Sequence, residues 1–173
     1  MRGYPFESSI AMNNYRFDGR SEEEFKKDIH SRTMEERSLF LLWLDLIERD
    51  TKVRPKFKDT GCGKNGEFLE DSDVSTAPDF EVEGFGHVEV KFSKPKLTRY
   101  FHLKTSQVKQ YLKREVTILM VNGTDELIPQ FTMLKPEALK RITDECEIVN
   151  WQGFGHKPAY RVPVKQFLWR PLK

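Results

Sequence analysis

The chain has 173 residues, 29 Lys and Arg against 27 Asp and Glu, a formal net charge of +2 and only two cysteines. That length suits one domain with a sizeable core, and so even a charge balance names no partner; only the distribution of charge along the chain does. No stretch is apolar enough to span a bilayer, Met1 to Glu7 carries no apolar core of the signal-peptide kind, and Cys62 and Cys146 make no disulfide framework or zinc spacing, so the expectation is a reduced, cytoplasmic protein without membrane contact. Residues up to Gly19 read as irregular, with turn signals at Asn13-Asn14 and Asp18-Gly19. Ser21 followed by Glu24 is a capping box and predicts a short helix. Thr33-Met34-Glu35-Glu36 is a second box and predicts a stronger, largely buried helix, with Leu39, Leu42, Trp43, Leu46 and Ile47 at helical spacing and Phe40, Leu41 and Leu44 widening the stripe.

Lys52 to Lys58 predicts an edge strand interrupted by Pro55. Gly61-Cys62-Gly63-Lys64-Asn65-Gly66 fits G-x-G-x-x-G, but a charged segment precedes it and an acidic one follows, so it reads as a flexible loop rather than a dinucleotide site. The most informative stretch is Pro78 to Lys91. Alternation predicts two strands around a Gly84-Phe85-Gly86 loop. Phe80 and Val82 share one face and Asp79, Glu81 and Glu83 the other; on the second strand Val88, Val90 and Phe92 oppose Glu89 and Lys91. Asp79, Glu89 and Lys91 then lie on one side. Carboxylates crowded there need either a divalent cation or open solvent to remain ionised. Glu81 and Glu83 read as solvated, with Glu81 an auxiliary ligand at most.

Lys91, Lys94, Lys96, Arg99, Lys104, Lys109, Lys113 and Arg114 form a basic run with no acid until Glu115. It is either a solvated face or a phosphate track, with Phe92, Tyr100 and Phe101 available to stack on unpaired bases. Tyr100 to Leu103 reads as extended. Thr105 or Ser106 caps a helix to about Arg114, with Val108 and Leu112 inward. Val116 to Val121 predicts a buried central strand. Phe131 to Leu134 predicts another strand, Pro136 opens a helix to Asp144, and Ile148-Val149 and Tyr160 to Val164 are weaker strands. The pattern is α/β.

Pro78-Asp79, then Glu89-Val90-Lys91, with a glutamate on the first core helix and Gln107-Val108-Lys109-Gln110-Tyr111 on the next, resembles the PD-(D/E)xK nuclease superfamily. The likeness runs from about Thr33 to Gly123; the Q-x-x-x-Y phrase is similar to the RecB-like branch, and Glu36-Arg37 to archaeal Holliday-junction resolvases. It implies a restriction-endonuclease-like core, a mixed central β-sheet flanked by helices in the order αβββαβ. One domain would comprise an N-terminal arm (1–30), a catalytic core (31–123) and a C-terminal extension (124–173) packed on it. It further implies a metal-dependent DNA nuclease, structure-specific endonuclease or exonuclease, similar to small phage-type enzymes that act inside a bacterial host. Asp79, Glu89 and the Val90 carbonyl would hold Mg²⁺ or Mn²⁺, with Glu36 (or Glu35) completing the site. Lys91 would orient water and offset charge, acting as a base only if its pKa were lowered. Gln107 would bind phosphate or water, and Tyr111 would steady the helix or contact the strand backbone. Lys94, Lys96, Arg99, Lys104 and Lys109 would bind DNA. A resolvase would act as a homodimer. The alternatives are a non-catalytic nucleic-acid-binding protein on a nuclease fold, a transposon end-cleaving endonuclease, or a protein in which Glu36 only caps its helix and the acidic ribbon is solvated surface.

Overall fold

The computed structural model describes residues 21–61 and 77–173, so the glycine-rich letters after Gly61 and the stretch before Ser21 lie outside the described residues. The first element is one continuous helix, α1 (Glu22–Thr51). The Ser21 capping box is present: Ser21 N donates to Glu24 and Glu24 N donates to Ser21 Oγ. The second box at Thr33 caps nothing, because no Gly or Pro stands between Ser21 and Thr51 and the helix propagates straight through. Residues 22–30 therefore belong to the same helix as the stripe behind them. Among the described side chains of α1 only Leu39, Phe40, Trp43 and Leu44 are buried, while Leu42 is 46% exposed, so from Leu39 onward the inward stripe is narrower than the apolar run suggests. Lys52, left-handed at φ 62°, closes the helix.

Strands β1 (Phe57–Asp59), β2 (Phe80–Val82), β3 (Gly86–Ser93), β5 (Thr117–Asn122), β6 (Gln130–Leu134) and β9 (Arg170–Pro171) form a mixed sheet in the order β1-β2-β3-β5-β6-β9. β3 and β5 are parallel and the other neighbours antiparallel. The parallel pair needs a crossover, which is made by β4 (Tyr100–Lys104) and α2 (Thr105–Lys113). The helix α2 starts at Thr105 itself, without a side-chain cap from Thr105 or Ser106. Helix α3 (Pro136–Asp144) follows β6, with Pro136 in the first turn as expected. β7 (Ile148–Trp151) and β8 (Lys157–Pro163) do not join the main sheet; they pair with β4 in a separate antiparallel sheet ordered β4-β8-β7.

Central β5 is buried throughout and splits its side chains between two cores. Leu119 and Val121 join Val88, Val90, Phe80 and Val82 beneath α1, where the Phe40 and Phe80 rings stack at 3.8 Å. Ile118 and Met120 join Val108 and Tyr111 of α2, Leu139 and Ile142 of α3, and Phe101, Leu103 and Val162 of the small sheet. The molecule is thus an α/β protein whose mixed sheet carries α1 on one face and α2, α3 and the small sheet on the other. Among the described residues no helix is long and apolar enough to cross a membrane.

Candidate functional site

The hairpin is built as the alternation predicts, with one difference. Phe80 pairs with Val88 and Val82 with Gly86, so the loop is Glu83-Gly84-Phe85 and Gly86 already belongs to the strand. Gly84 and Gly86 have φ of 79° and 71°, which a glycine adopts freely. Moving the loop by one residue shifts the pairing by two, so every side chain keeps its face. Continued past Phe80, that register sets Asp79 across from Glu89, and Lys91 stands two residues along on Glu89's face.

Each group is anchored. Asp79 accepts from the Val90 N–H at 2.8 Å through Oδ2. Its own carbonyl takes the N–H groups of Thr60 and Gly61 at 3.0 and 3.2 Å. A Cβ on Gly61 would stand 3.3 Å from the Asp79 Cα, so the glycine permits that close approach. Glu89 is 7% exposed, and its Oε1 accepts from the Lys91 ammonium at 2.5 Å and the Tyr111 hydroxyl at 2.8 Å. Tyr111 is thus tied to the carboxylate itself rather than to the strand backbone.

Glu36 reaches this cluster from α1, and the charges on it identify its neighbours. Burial first, then the Asp79 and Glu89 charges, push its carboxyl up to about 7 against the pull of Lys91 and Arg32. Burial and Glu89 push Asp79 up to about 6, offset by Lys91 and the Val90 N–H. Burial pulls the Lys91 ammonium down, but Glu89, Tyr111 and Asp79 outweigh it and hold its pKa above the ordinary lysine value. Its pairing with Glu89 thus favours the charged form of Lys91. Tyr111 is held above the ordinary phenol value, chiefly by burial, and remains a donor. Glu35, the other candidate on the helix, points elsewhere: it accepts from Thr124 Oγ1 at 2.9 Å and pairs with Lys94 at 3.4 Å.

A cleft of about 600 Å³ opens beside the cluster, lined by Glu36, Lys91, Lys94, Lys104 and Gln107 among others. Its charge is mostly positive. Lys104 sits over the Phe154 ring at 4.8 Å, its pKa lowered by burial and by Lys157, Lys91 and Arg32. Phe92 and Phe101 both line the cleft, but Phe101, expected to stack on bases, is only 7% exposed and packs into the core beside Phe167 and Trp169. Lys96 and Arg99 line a neighbouring pocket, and Lys109 is exposed on α2 in neither. Glu81 and Glu83 are exposed. Arg32 is a cleft residue the sequence reading passed over. Its signal was there: it precedes Glu36 by one helical turn and so shares its face.

Among the described residues, no three His, Cys, Asp or Glu side chains are grouped so as to hold a metal ion as they stand. The carboxylates feel one another electrostatically without closing a cage; Lys91 and Tyr111 share one oxygen of Glu89, and the Val90 N–H takes one oxygen of Asp79. The donor set nevertheless fits a hard cation. It is all oxygen, its charges are poorly solvated, and Mg²⁺ commonly takes only one or two protein carboxylates, with water and phosphate completing its shell. No family model, curated protein or solved structure matches this chain.

Proposed function

We propose that the protein is a divalent-metal-dependent DNA nuclease of the PD-(D/E)xK kind, a structure-specific endonuclease or an exonuclease. One observation carries the reading: Glu36, Asp79, Glu89 and Lys91, from three separate segments, interact at one end of the β2–β3 hairpin, and Glu36 and Lys91 line a cleft that is mostly cationic. Binding alone gives no reason to bury carboxylates where a polyanion must approach. The succession α1–β1–β2–β3, then α2 and a β5 parallel to β3, supports a restriction-endonuclease-like core, with β4 inserted before α2.

Asp79 and Glu89, with the Val90 carbonyl and Glu36, would hold Mg²⁺ or Mn²⁺, which supplies charge neutralisation and an activated water for phosphodiester hydrolysis. The chain's own groups do the rest. Lys91, fixed by Glu89, presents a positive charge to the phosphate as negative charge builds on it. Gln107, on the cleft wall, offers an amide to a phosphate oxygen or to the attacking water. Tyr111 holds Glu89 in place. Lys104, Lys94 and Arg32 draw the sugar–phosphate backbone into the cleft.

The test is incubation of labelled single-stranded, duplex and branched DNA with and without Mg²⁺ or Mn²⁺, using the parent protein and Asp79→Asn. Metal-dependent cutting that the substitution abolishes is the expected result. DNA retention without cutting under either metal would replace this reading with that of a binding protein.

A further inference from the structure

The small sheet has two unlike faces. Phe101, Leu103, Tyr160 and Val162 turn into the core. The register pairs His102 with Arg161 and Trp151 with Lys157, so Tyr100, His102, Arg161 and Trp151 share the other face. There the His102 and Trp151 rings stack in parallel at 3.7 Å, and the Arg161 guanidinium lies 4.8 Å from the Tyr100 ring centre. Tyr100 and Trp151 are each 39% exposed. With Lys96 and Arg99 they line a pocket of about 370 Å³. Arg161 is partly neutralised by Glu147, but Lys96 and Arg99 have no carboxylate partner among the described residues. His102 lines both this pocket and the larger cleft, so the two adjoin.

We propose that this face is a base-stacking subsite for single-stranded DNA, placing an unpaired nucleotide on Tyr100 and Trp151 while its strand continues into the cleft. It deepens the nuclease reading and rests on it for the substrate's path, but the binding step stands alone. His102 covers one face of Trp151 and Arg161 one face of Tyr100, so a base would use what each ring leaves exposed, and the flanking cations take the phosphates on either side. A duplex keeps its bases stacked on one another and has none to give, so the subsite selects strands with unpaired ends or loops.

The experiment measures binding by fluorescence anisotropy in EDTA, where no cutting intervenes. Its probes are a labelled oligothymidylate, an abasic strand of equal length and a blunt duplex. Trp151→Ala and Tyr100→Ala should each weaken oligothymidylate binding by about tenfold or more and leave the abasic strand unaffected, with Trp151→Phe restoring most of the loss. Because Trp151 lies at the surface, circular dichroism should show the variants folded. Equal binding of the oligothymidylate and the abasic strand, or an unchanged affinity in both alanine variants, would overturn the proposal. Stacking without metal-dependent cutting would sink the nuclease reading alone, and cutting without stacking would sink the subsite alone.

Discussion

Replacing Glu36 by glutamine removes a charge that the fold resists, and the consequence for stability has a definite direction with pH. The carboxyl moves from an ordinary 4.5 to about 7 because burial and the Asp79 and Glu89 charges disfavour its ionised form. At about 1.4 kcal/mol per tenfold change in proton affinity, ionising it in the folded protein costs about 3 kcal/mol more than in the unfolded chain. Between those two values the folded state binds more protons than the unfolded state, so stability falls as pH rises through that window and the whole penalty is present above it. Glu36→Gln has no such penalty. In urea unfolding without divalent metal it should exceed the parent by about 3 kcal/mol near about pH 8 and match it near about pH 4. In thermal unfolding the gain at the higher pH corresponds to about 6–12 °C. Saturating Mg²⁺ should return stability to the parent at the higher pH and less to the variant, since a cation relieves the crowding that the substitution already removes. A variant no more stable than the parent near pH 8, or one equally stabilised near pH 4, would show that the carboxylates do not crowd one another as the geometry has them.

Lys91→Met should destabilise the protein by about 3–5 kcal/mol in urea unfolding, because it leaves the buried Glu89 carboxylate without its ammonium. Adding Glu89→Gln should recover most of that loss, and a purely additive double variant would contradict the pairing. Asp79→Asn keeps an oxygen for the Val90 N–H, so its melting temperature should hold or rise while calorimetric Mn²⁺ binding and metal-dependent cleavage fall by about 100-fold or more. Undiminished cleavage would remove Asp79 from the site. Neutralising Lys94, Lys96 and Lys104 together should lower the slope of log affinity against log salt for single-stranded DNA by about 2. An unaltered slope would mean that DNA passes elsewhere.

The local order of this molecule is written in short-range pattern. Alternation from Phe80 to Lys91 carries its faces whatever the loop, because a strand's period of two survives a two-residue shift in pairing. The unbroken apolar run of β5 and Pro136 at the start of α3 are equally legible, since burial on both faces and a locked φ leave direct marks in composition. The Thr33 box does not begin a helix, because a capping box marks a start only where the chain before it is broken, and nothing between Ser21 and Thr33 breaks it. What only the tertiary structure decided is which distant groups meet. Glu36 rather than Glu35 faces the hairpin because of how α1 packs through Phe40 and Trp43. Tyr111 finds Glu89 because α2 lies across the main sheet. Trp151 and Tyr100 become neighbours because β7 and β8 pair with β4 instead of extending that sheet. Such pairings depend on packing and loop closure over long separations, and no window of sequence contains both partners.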